Sequence, residues 1–477
     1  MVFSSLTFLL VFLPALMLCY FIVPKKYVAA RRYVLMVFSF IFYAAGEPLY
    51  FFAIAACVGL TYLLSWGVEK KKKLHFWLSL AINIIPLIIF KYLNFIITNL
   101  NLLPFLNIPP VELVMPIGIS FYTFQMLTYI IDLYRGDVKR QKNVGYLALY
   151  IFLFPQLIAG PIVRYQDVEL DISRCQENWD AVKQGSARFI KGMVKKVIFA
   201  NQTGMIFDTI FALSGEHPEQ ISVPMMWLAA ISYTMQIYFD FSGYSDMAIG
   251  LGKIFGFNFL ENFNLPYSSL SVSEFWRRWH ISMNTFFRDY IYIPLGGSRC
   301  STWRWLFNIL VVWSFTGLWH GAHWNFIFWG LYYAVLLVLE KFFLGKILKK
   351  LPKFVGWIYT FFCTVVGWSF FLNDSDSFSE MFRFTGRLFG IGEVVNPATV
   401  RSLELQSCLP YLVIAIILAL PTRKLFTKAG ELLKKVPGKA AEITRNVTSD
   451  AIQLAAIAIC LVFIIGGSYN PFIYFRF

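Results

Sequence analysis

Twenty-one consecutive residues without a charge, FSSLTFLLVFLPALMLCYFIV (residues 3–23), leave this chain few ways to fold. A helix rising 1.5 Å per residue needs about 20 apolar residues to cross roughly 30 Å of hydrocarbon, and a shorter globular core has no use for such a run. No Lys or Arg precedes Pro24 and the run is too long for a cleavable signal, so it is expected to stay as a first span. Further apolar runs follow at 33–45, 48–67, 75–96, 113–133, 197–213, 223–247, 354–372, 409–420 and 451–468. With 58% hydrophobic residues and 14% charged, the chain has too little polar surface for a water-facing domain.

The expected fold is therefore all-α and polytopic, with residues 1–477 forming one integral membrane domain. Its basic residues fall in short clusters between the runs, which orients a chain in a membrane and does not make the single face that binds nucleic acid, despite a net charge of +15. Lys25, Lys26, Arg31 and Arg32 follow the first run, and Lys70–Lys73, Arg135–Lys142, Lys341–Lys353 and Arg423–Arg445 recur on the same side. The intervening loops 99–110 and 214–222 carry no base. The alternation places the N-terminus outside the cell and the basic loops in the cytoplasm, as for a multi-pass membrane protein. Seven cysteines are scattered singly, most within apolar runs, and predict small core residues rather than disulfides.

Three segments do not read as simple spans. LYIFLFPQLIAGPIV (149–163) places two prolines and a glycine in an apolar run. Residues 254–304 are too charged for lipid yet rich in Trp, Phe and Tyr, and 305–340 holds two short apolar halves separated by LWHGAHW. Broken backbone survives at membrane depth only when buried in protein or lining a cavity. A central cavity or tunnel is expected, with about 10–11 transmembrane helices and re-entrant or broken helices around it.

His320 lies in the apolar hairpin VVWSFTGLWHGAHWNFIFWG, where an ionisable group is costly and usually functional. A neutral imidazole there can take a proton from a hydroxyl, as transfer of an acyl group to an alcohol requires; the alternative is a core histidine bonded to a carbonyl. Gly317 and Gly321 flank it and allow close approach of backbone or ligand. His323 makes an HxxH pair with His320, but the hairpin lacks a third metal ligand, so no metal is expected and His323 reads as an interfacial aromatic. His75 and His217 read as surface residues.

His280 lies in SEFWRRWHISMNTFFRDYIYIPLGG (273–297) with Arg277, Arg278 and Arg288, whose positive charge favours a neutral ring. A neutral His280 can orient a thioester or share the base role, while the guanidiniums suit phosphate. Trp279 and Asn284 belong to the same candidate donor surface. The plainer reading is a basic amphipathic helix at the headgroups, and the two are compatible. Asp240 and Asp246, in IYFDFSGYSDMAIG (237–250), are expected as structural supports, pairing one helical turn away with Tyr244 and Ser242. No P-loop, dinucleotide, zincin or nucleophile-elbow motif occurs.

Six stretches in order, FYAAGEP (42–48), MPIGISFYTFQMLTYIIDLYRG (115–136), FPQLIAGPIVRY (154–165), IYFDFSGYSDMAIGLGKIFGF (237–257), FWRRWHISMNTFFRDYIYIPLGG (275–297) and GLWHGAHWNFIFWG (317–330), resemble the membrane-bound O-acyltransferases. The branch they resemble is that of the bacterial alginate O-acetylases, as does the tail PFIYFRF (471–477). The resemblance covers about residues 40–345, leaving 346–477 as C-terminal helices and tail.

The resemblance implies a ring of helices around a thin floor pierced by a tunnel, with no metal and no bound cofactor. It implies that His320 of the WHG motif is catalytic and His280 of the RRWH motif the second site residue, with Trp319 and Gly321 beside the first. The implied donor is cytoplasmic acetyl-CoA. The implied acceptor is a cell-surface polysaccharide, reached through an extracytoplasmic SGNH or esterase-like partner. A sister branch moves D-alanine from a carrier protein to teichoic acid, although the GEP turn at 46–48 leans towards acetyl. His323 departs from the family, which more often has Asn, Ser or Ala there. Two readings of other classes compete: a transporter, which also uses intramembrane Asp and His on broken helices but has matching halves absent here, and a non-catalytic scaffold.

Overall fold

The computed structural model describes all residues except 1, 159, 175–176, 217–220, 373–376, 393–402, 422–438, 468–472 and 474–477. Expectations resting on Cys175, His217 and most of the basic stretch 423–445 lie outside the described residues, as does the 471–477 tail apart from Ile473. Each apolar run folds wholly or mostly as helix, and no strand occurs among the described residues. Apolar side chains face lipid or protein, and the backbone bonds within itself.

In chain order the helices are α1 Phe8–Ile22, α2 Val28–Ala44, α3 Pro48–Glu69, α4 Lys73–Leu100, α5 Ile119–Arg135, α6 Val144–Phe152, α7 Phe154–Leu157, α8 Tyr165–Ser173 and α9 Trp179–Glu216. There follow α10 Val223–Ile254, α11 Val272–Arg278, α12 Ile281–Phe287, α13 Thr302–His320, α14 Trp324–Leu348, α15 Lys353–Ser369, α16 Phe378–Leu388, α17 Leu403–Ala419 and α18 Lys439–Gly466. Five of them are long and apolar enough to cross a membrane: α3, α4, α9, α14 and the Val447–Gly466 part of α18. The shorter α1 and Gln406–Ala419 are apolar as well. The chain forms two compact units, Met1–Phe189 with Tyr244–Glu261, and Ile190–Gly243 with Asn262–Phe477.

The first unit is built on phenylalanines that α1, α2 and α7 direct inwards. Phe12, Phe42 and Phe154 stand with ring centroids 5.5 Å apart. Two arginines expected as loop cations are buried in this unit. Arg32 is fully buried and donates to the carbonyls of Phe255 (2.8 Å), Asp171 (2.7 Å) and Arg174 (2.5 Å), while Arg31 pairs with buried Glu177. Ending loop carbonyls on a guanidinium satisfies buried acceptors that no helix bonds. The proline-broken segment after α6 is buried too, and Gln156 there donates its amide to the Tyr150 carbonyl.

Asp246 also belongs to this unit, and its partner is Arg188 of α9, at 2.5 Å, which also grips Glu261 at 2.6 Å. In the second unit Asp240 meets Lys196 at 2.8 Å, both nearly fully buried, and accepts the Ile473 amide at 2.9 Å. The expected one-turn pairings with Ser242 and Tyr244 give way to these ion pairs. α10 runs unbroken from Val223 to Ile254, so its carboxylates face neighbouring elements, and a buried carboxylate is satisfied best by a full opposite charge.

Candidate active site

The hairpin α13–α14 belongs to the second unit, and it carries His320. α13 is longer than its apolar half suggests, because Ser301 caps it by accepting the Arg304 amide at 3.4 Å and the helix begins at Thr302. α14 likewise runs past Glu340 to Leu348. Both halves therefore approach or exceed a membrane's thickness, where shorter pieces were expected.

The two helices meet through glycines. A side chain on Gly317 would strike the carbonyl of Phe326, and one on Gly330 the carbonyl of Trp313. Gly321 serves packing too: its backbone is ordinary extended chain, and the Phe326 ring fills the place a side chain would take. Of the two expected partners at Gly317 and Gly321, backbone or ligand, the close approach is that of α14.

His320 ends α13 and is 3% exposed, with Trp319 (4.8 Å), Trp329 (5.0 Å) and Phe371 (5.1 Å) around its ring. His323 is half-buried in extended backbone just before α14. The chain leaves the helix between the two histidines, so they do not share a helical face as an HxxH metal pair would.

His280 is brought to the same neighbourhood by α11. That helix is clamped at its start by Glu340 of α14, whose carboxylate accepts the amides of Val272 (2.5 Å) and Ser273 (2.9 Å) and the Ser273 hydroxyl (2.6 Å). A carboxylate there satisfies amides that have no partner within the helix and sits at the positive end of its dipole. Trp276 then enters against Trp313 (4.8 Å), Tyr333 (4.8 Å) and Trp329 (5.5 Å), and Trp279 packs on Trp368 (4.9 Å). The chain turns sharply at His280, in the left-handed region (φ 46°, ψ 55°), before α12. Its ring lies 5.7 Å from that of Trp319, so a single indole touches both candidate catalytic histidines.

Asn262, fully buried, braces this turn. Its backbone carbonyl accepts the Ile281 amide (3.0 Å), and its side-chain oxygen accepts the Ser282 amide (3.1 Å) and hydroxyl (2.9 Å) and faces His280 Nδ1 at 3.2 Å. Burial pushes the His280 ring down to about 3, well below the ordinary range, and holds it neutral.

The expected donor surface divides. Arg278 is paired with Glu274 (2.7 Å) and exposed Arg288 with Asp289 (2.7 Å). Asn284 turns its amide to the carbonyls of Trp276 and Trp279 (2.8 Å from the latter), closing the end of α11. Trp279 is 2% exposed within the aromatic packing. Arg277 makes no ion pair or hydrogen bond among the described residues, and it lines a cleft of about 860 Å³ together with Lys341, Lys346, Lys349, Lys353 and buried Glu340. Lys341 stands 3.4 Å over the Trp305 ring, and Leu270, Ile309 and Leu337 supply apolar wall. Neither histidine lines this cleft.

Sequence reasoning missed Asn262, Glu340 and the four cleft lysines as parts of a site. The lysines were visible only as orientation signals, and an isolated Asn or Glu carries no periodic signature. What marks them is the partner each one meets.

The description membrane-bound O-acyltransferase family fits residues 139–372. A probable alginate O-acetylase AlgI of Azotobacter vinelandii is 35% identical over the whole of both chains. The chain belongs to the membrane-bound O-acyltransferases. The peptidoglycan O-acetyltransferase of Helicobacter pylori is 32% identical to this acyltransferase over 78% of the chain and 77% of that protein. The teichoic acid D-alanyltransferase of Bacillus subtilis is 31% identical, over 51% of the chain and 64% of that protein. The protein is thus a multi-pass membrane O-acyltransferase of the alginate O-acetylase-like branch, which sets aside the transporter and scaffold readings.

Proposed function

We propose that this acyltransferase moves an acetyl group from cytoplasmic acetyl-CoA towards a hydroxyl of an extracellular polysaccharide, in a bacterial cytoplasmic membrane with the N-terminus outside. An extracytoplasmic esterase-like partner completes the delivery. The observation that carries this reading is the likeness to alginate O-acetylases along the entire chain. Likeness to the D-alanyltransferase covers only about half of it, which favours acetyl over D-alanyl.

The chemistry needs a proton acceptor for the attacking hydroxyl and a hydrogen-bond donor for the thioester carbonyl. His320 and His280, buried in one aromatic surround and touched by the same indole, are the residues to supply them. Arg277 and the cleft lysines suit the phosphates of the donor, because Glu340, the acid that lines the cleft with them, is committed to α11. Asp240, Trp319 and Gly321 support the arrangement.

Acetylation of surface polymer in cells making His320→Ala at normal protein level tests the proposal. It should fall to background, and wild-type acetylation would refute the assignment. Membrane vesicles supplied with labelled acetyl-CoA or with a D-alanyl carrier thioester separate the two donors.

A further inference from the structure

We infer that the cationic cleft between α11, the start of α13, the end of α14 and the start of α15 seats the phosphate of an anionic phospholipid. Its consequence for the enzyme, competition with the donor for the same cations, rests on the reading that the donor's phosphates use this cleft.

The position of the cleft follows from its helices. Trp305, near the start of α13, meets Phe342 of α14 with ring centroids 5.8 Å apart, so α13 begins at the level where α14 nears its end. Trp303 beside it is 82% exposed, as suits an aromatic at the headgroup level of a bilayer. The cleft is bordered by apolar surface on three helices. Next to the lining residues Ile309, Lys346 and Lys353 stand Leu310, Ile347 and Phe354, each half or more exposed. Side chains of this kind on membrane helices face acyl chains.

Charge selects the occupant. Arg277, Lys341, Lys346, Lys349 and Lys353 line the cleft, all exposed, and none forms an ion pair among the described residues. Glu340, which lines it with them, is committed to the first amides of α11. A basic pocket between helices at the headgroup level attracts anionic lipid, whose phosphate oxygens take the hydrogen bonds that guanidinium and ammonium donate. The wall formed by Leu270, Ile309 and Leu337 distinguishes a lipid from a small soluble anion, because glycerol and upper acyl carbons cover it where free phosphate would leave it wet. A volume of about 860 Å³ holds such a headgroup with the carbons next to it. Neither histidine lines the cleft, so a lipid seated there does not enter the acyl-transfer site. It neutralises cations that would hold the donor, which then binds less tightly in an anionic membrane.

Native mass spectrometry of the full-length protein in detergent, titrated with a short-chain phosphatidylglycerol, reads the site without any acyl transfer. The wild type should bind phosphatidylglycerol more tightly than phosphatidylcholine of the same chains. Each cation near a membrane surface strengthens binding of an anionic lipid roughly fivefold, so Lys346→Gln with Lys349→Gln should weaken phosphatidylglycerol about 10- to 30-fold. Lys70→Gln with Lys72→Gln removes the same charge from the exposed turn between α3 and α4 and should bind as the wild type does. Equal affinity for the two lipids, or equal weakening by the two double variants, overturns the inference. In nanodiscs the KM for acetyl-CoA should be higher with phosphatidylglycerol than with phosphatidylcholine alone, and the Lys346 and Lys349 pair of substitutions should reduce that rise more than the Lys70 and Lys72 pair. Phosphatidylglycerol that binds through the cleft lysines yet leaves KM unchanged refutes the donor's use of the cleft and leaves the lipid site standing.

Discussion

At the scale of single residues, His280 and His320 show why burial matters more than residue type. An imidazole on a solvated loop titrates near neutrality, whereas His280 is held neutral because its fully buried ring has lost water's stabilisation of charge. Unfolding restores a pKa near 6.5, so the unfolded chain binds a proton that the folded one does not, and stability present above that value is lost as pH falls from there towards 3. The loss approaches about 1.4 kcal/mol per pH unit in that window, and thermal unfolding in detergent between pH 7 and 5 should fall less steeply in His280→Gln than in the wild type. At His320 the expected effect is on rate. Removing a group that donates to or accepts from the reacting atoms costs roughly 10²- to 10⁴-fold, so turnover of purified His320→Ala should drop by that factor, while the cavity left by the buried ring lowers the unfolding temperature without preventing folding.

At the scale of elements, positions are set by a few contacts that a helix cannot make within itself. Glu340 of α14 ends the first amides of α11, and α11 in turn delivers Trp276, Trp279 and the His280 turn. Glu340→Ala leaves those buried donors unmatched, at about 1–3 kcal/mol each, and should lower both the unfolding temperature and kcat. The α13–α14 hairpin depends on backbone contact at Gly330, where a side chain would meet the carbonyl of Trp313. A carbonyl within a helix cannot swing aside as a side-chain tip can, so Gly330→Val should cost about 1–3 kcal/mol or more, read as a lower unfolding temperature and less folded protein. The buried Lys196–Asp240 pair sets a different limit. Breaking it by Asp240→Asn strands a buried ammonium at a cost of about 3–5 kcal/mol, whereas replacing both partners by apolar residues of similar volume should restore much of the loss in the same unfolding assay.

At the scale of the whole molecule, charge is distributed unevenly. Arg31, Arg32, Arg188 and Lys196 serve the interior, bonded to carbonyls and buried carboxylates. Arg277, Lys346, Lys349 and Lys353 instead face one cleft without acidic partners among the described residues. Attraction exerted from such exposed cations is screened over about 8–10 Å at moderate salt. The KM for acetyl-CoA should therefore rise with ionic strength, and Lys346→Gln with Lys349→Gln should flatten that dependence while leaving kcat close to wild type. A KM indifferent to salt in the unaltered protein would place the donor's phosphates elsewhere.

Much of this was legible in the sequence, for physical reasons that differ by feature. The helical membrane fold follows from uninterrupted apolar runs such as residues 3–23 and 48–67, since hydrocarbon admits no other use for them. His320 stood out because an ionisable group in an apolar hairpin is costly wherever its partners lie. Arg278, Arg288 and Asn284 read as donor ligands by residue type alone. Only folding revealed that Glu274, Asp289 and the carbonyls ending α11 already occupy them. Asn262 was not legible, because its meaning lies in an oxygen placed 3.2 Å from a ring 18 residues away. Local composition thus determined that the chain spans a membrane and where ionisable groups are out of place. Tertiary structure decided which of those groups are already bonded and which cations remain for a ligand, because hydrogen bonds and ion pairs depend on ångström-scale distances that sequence spacing does not encode.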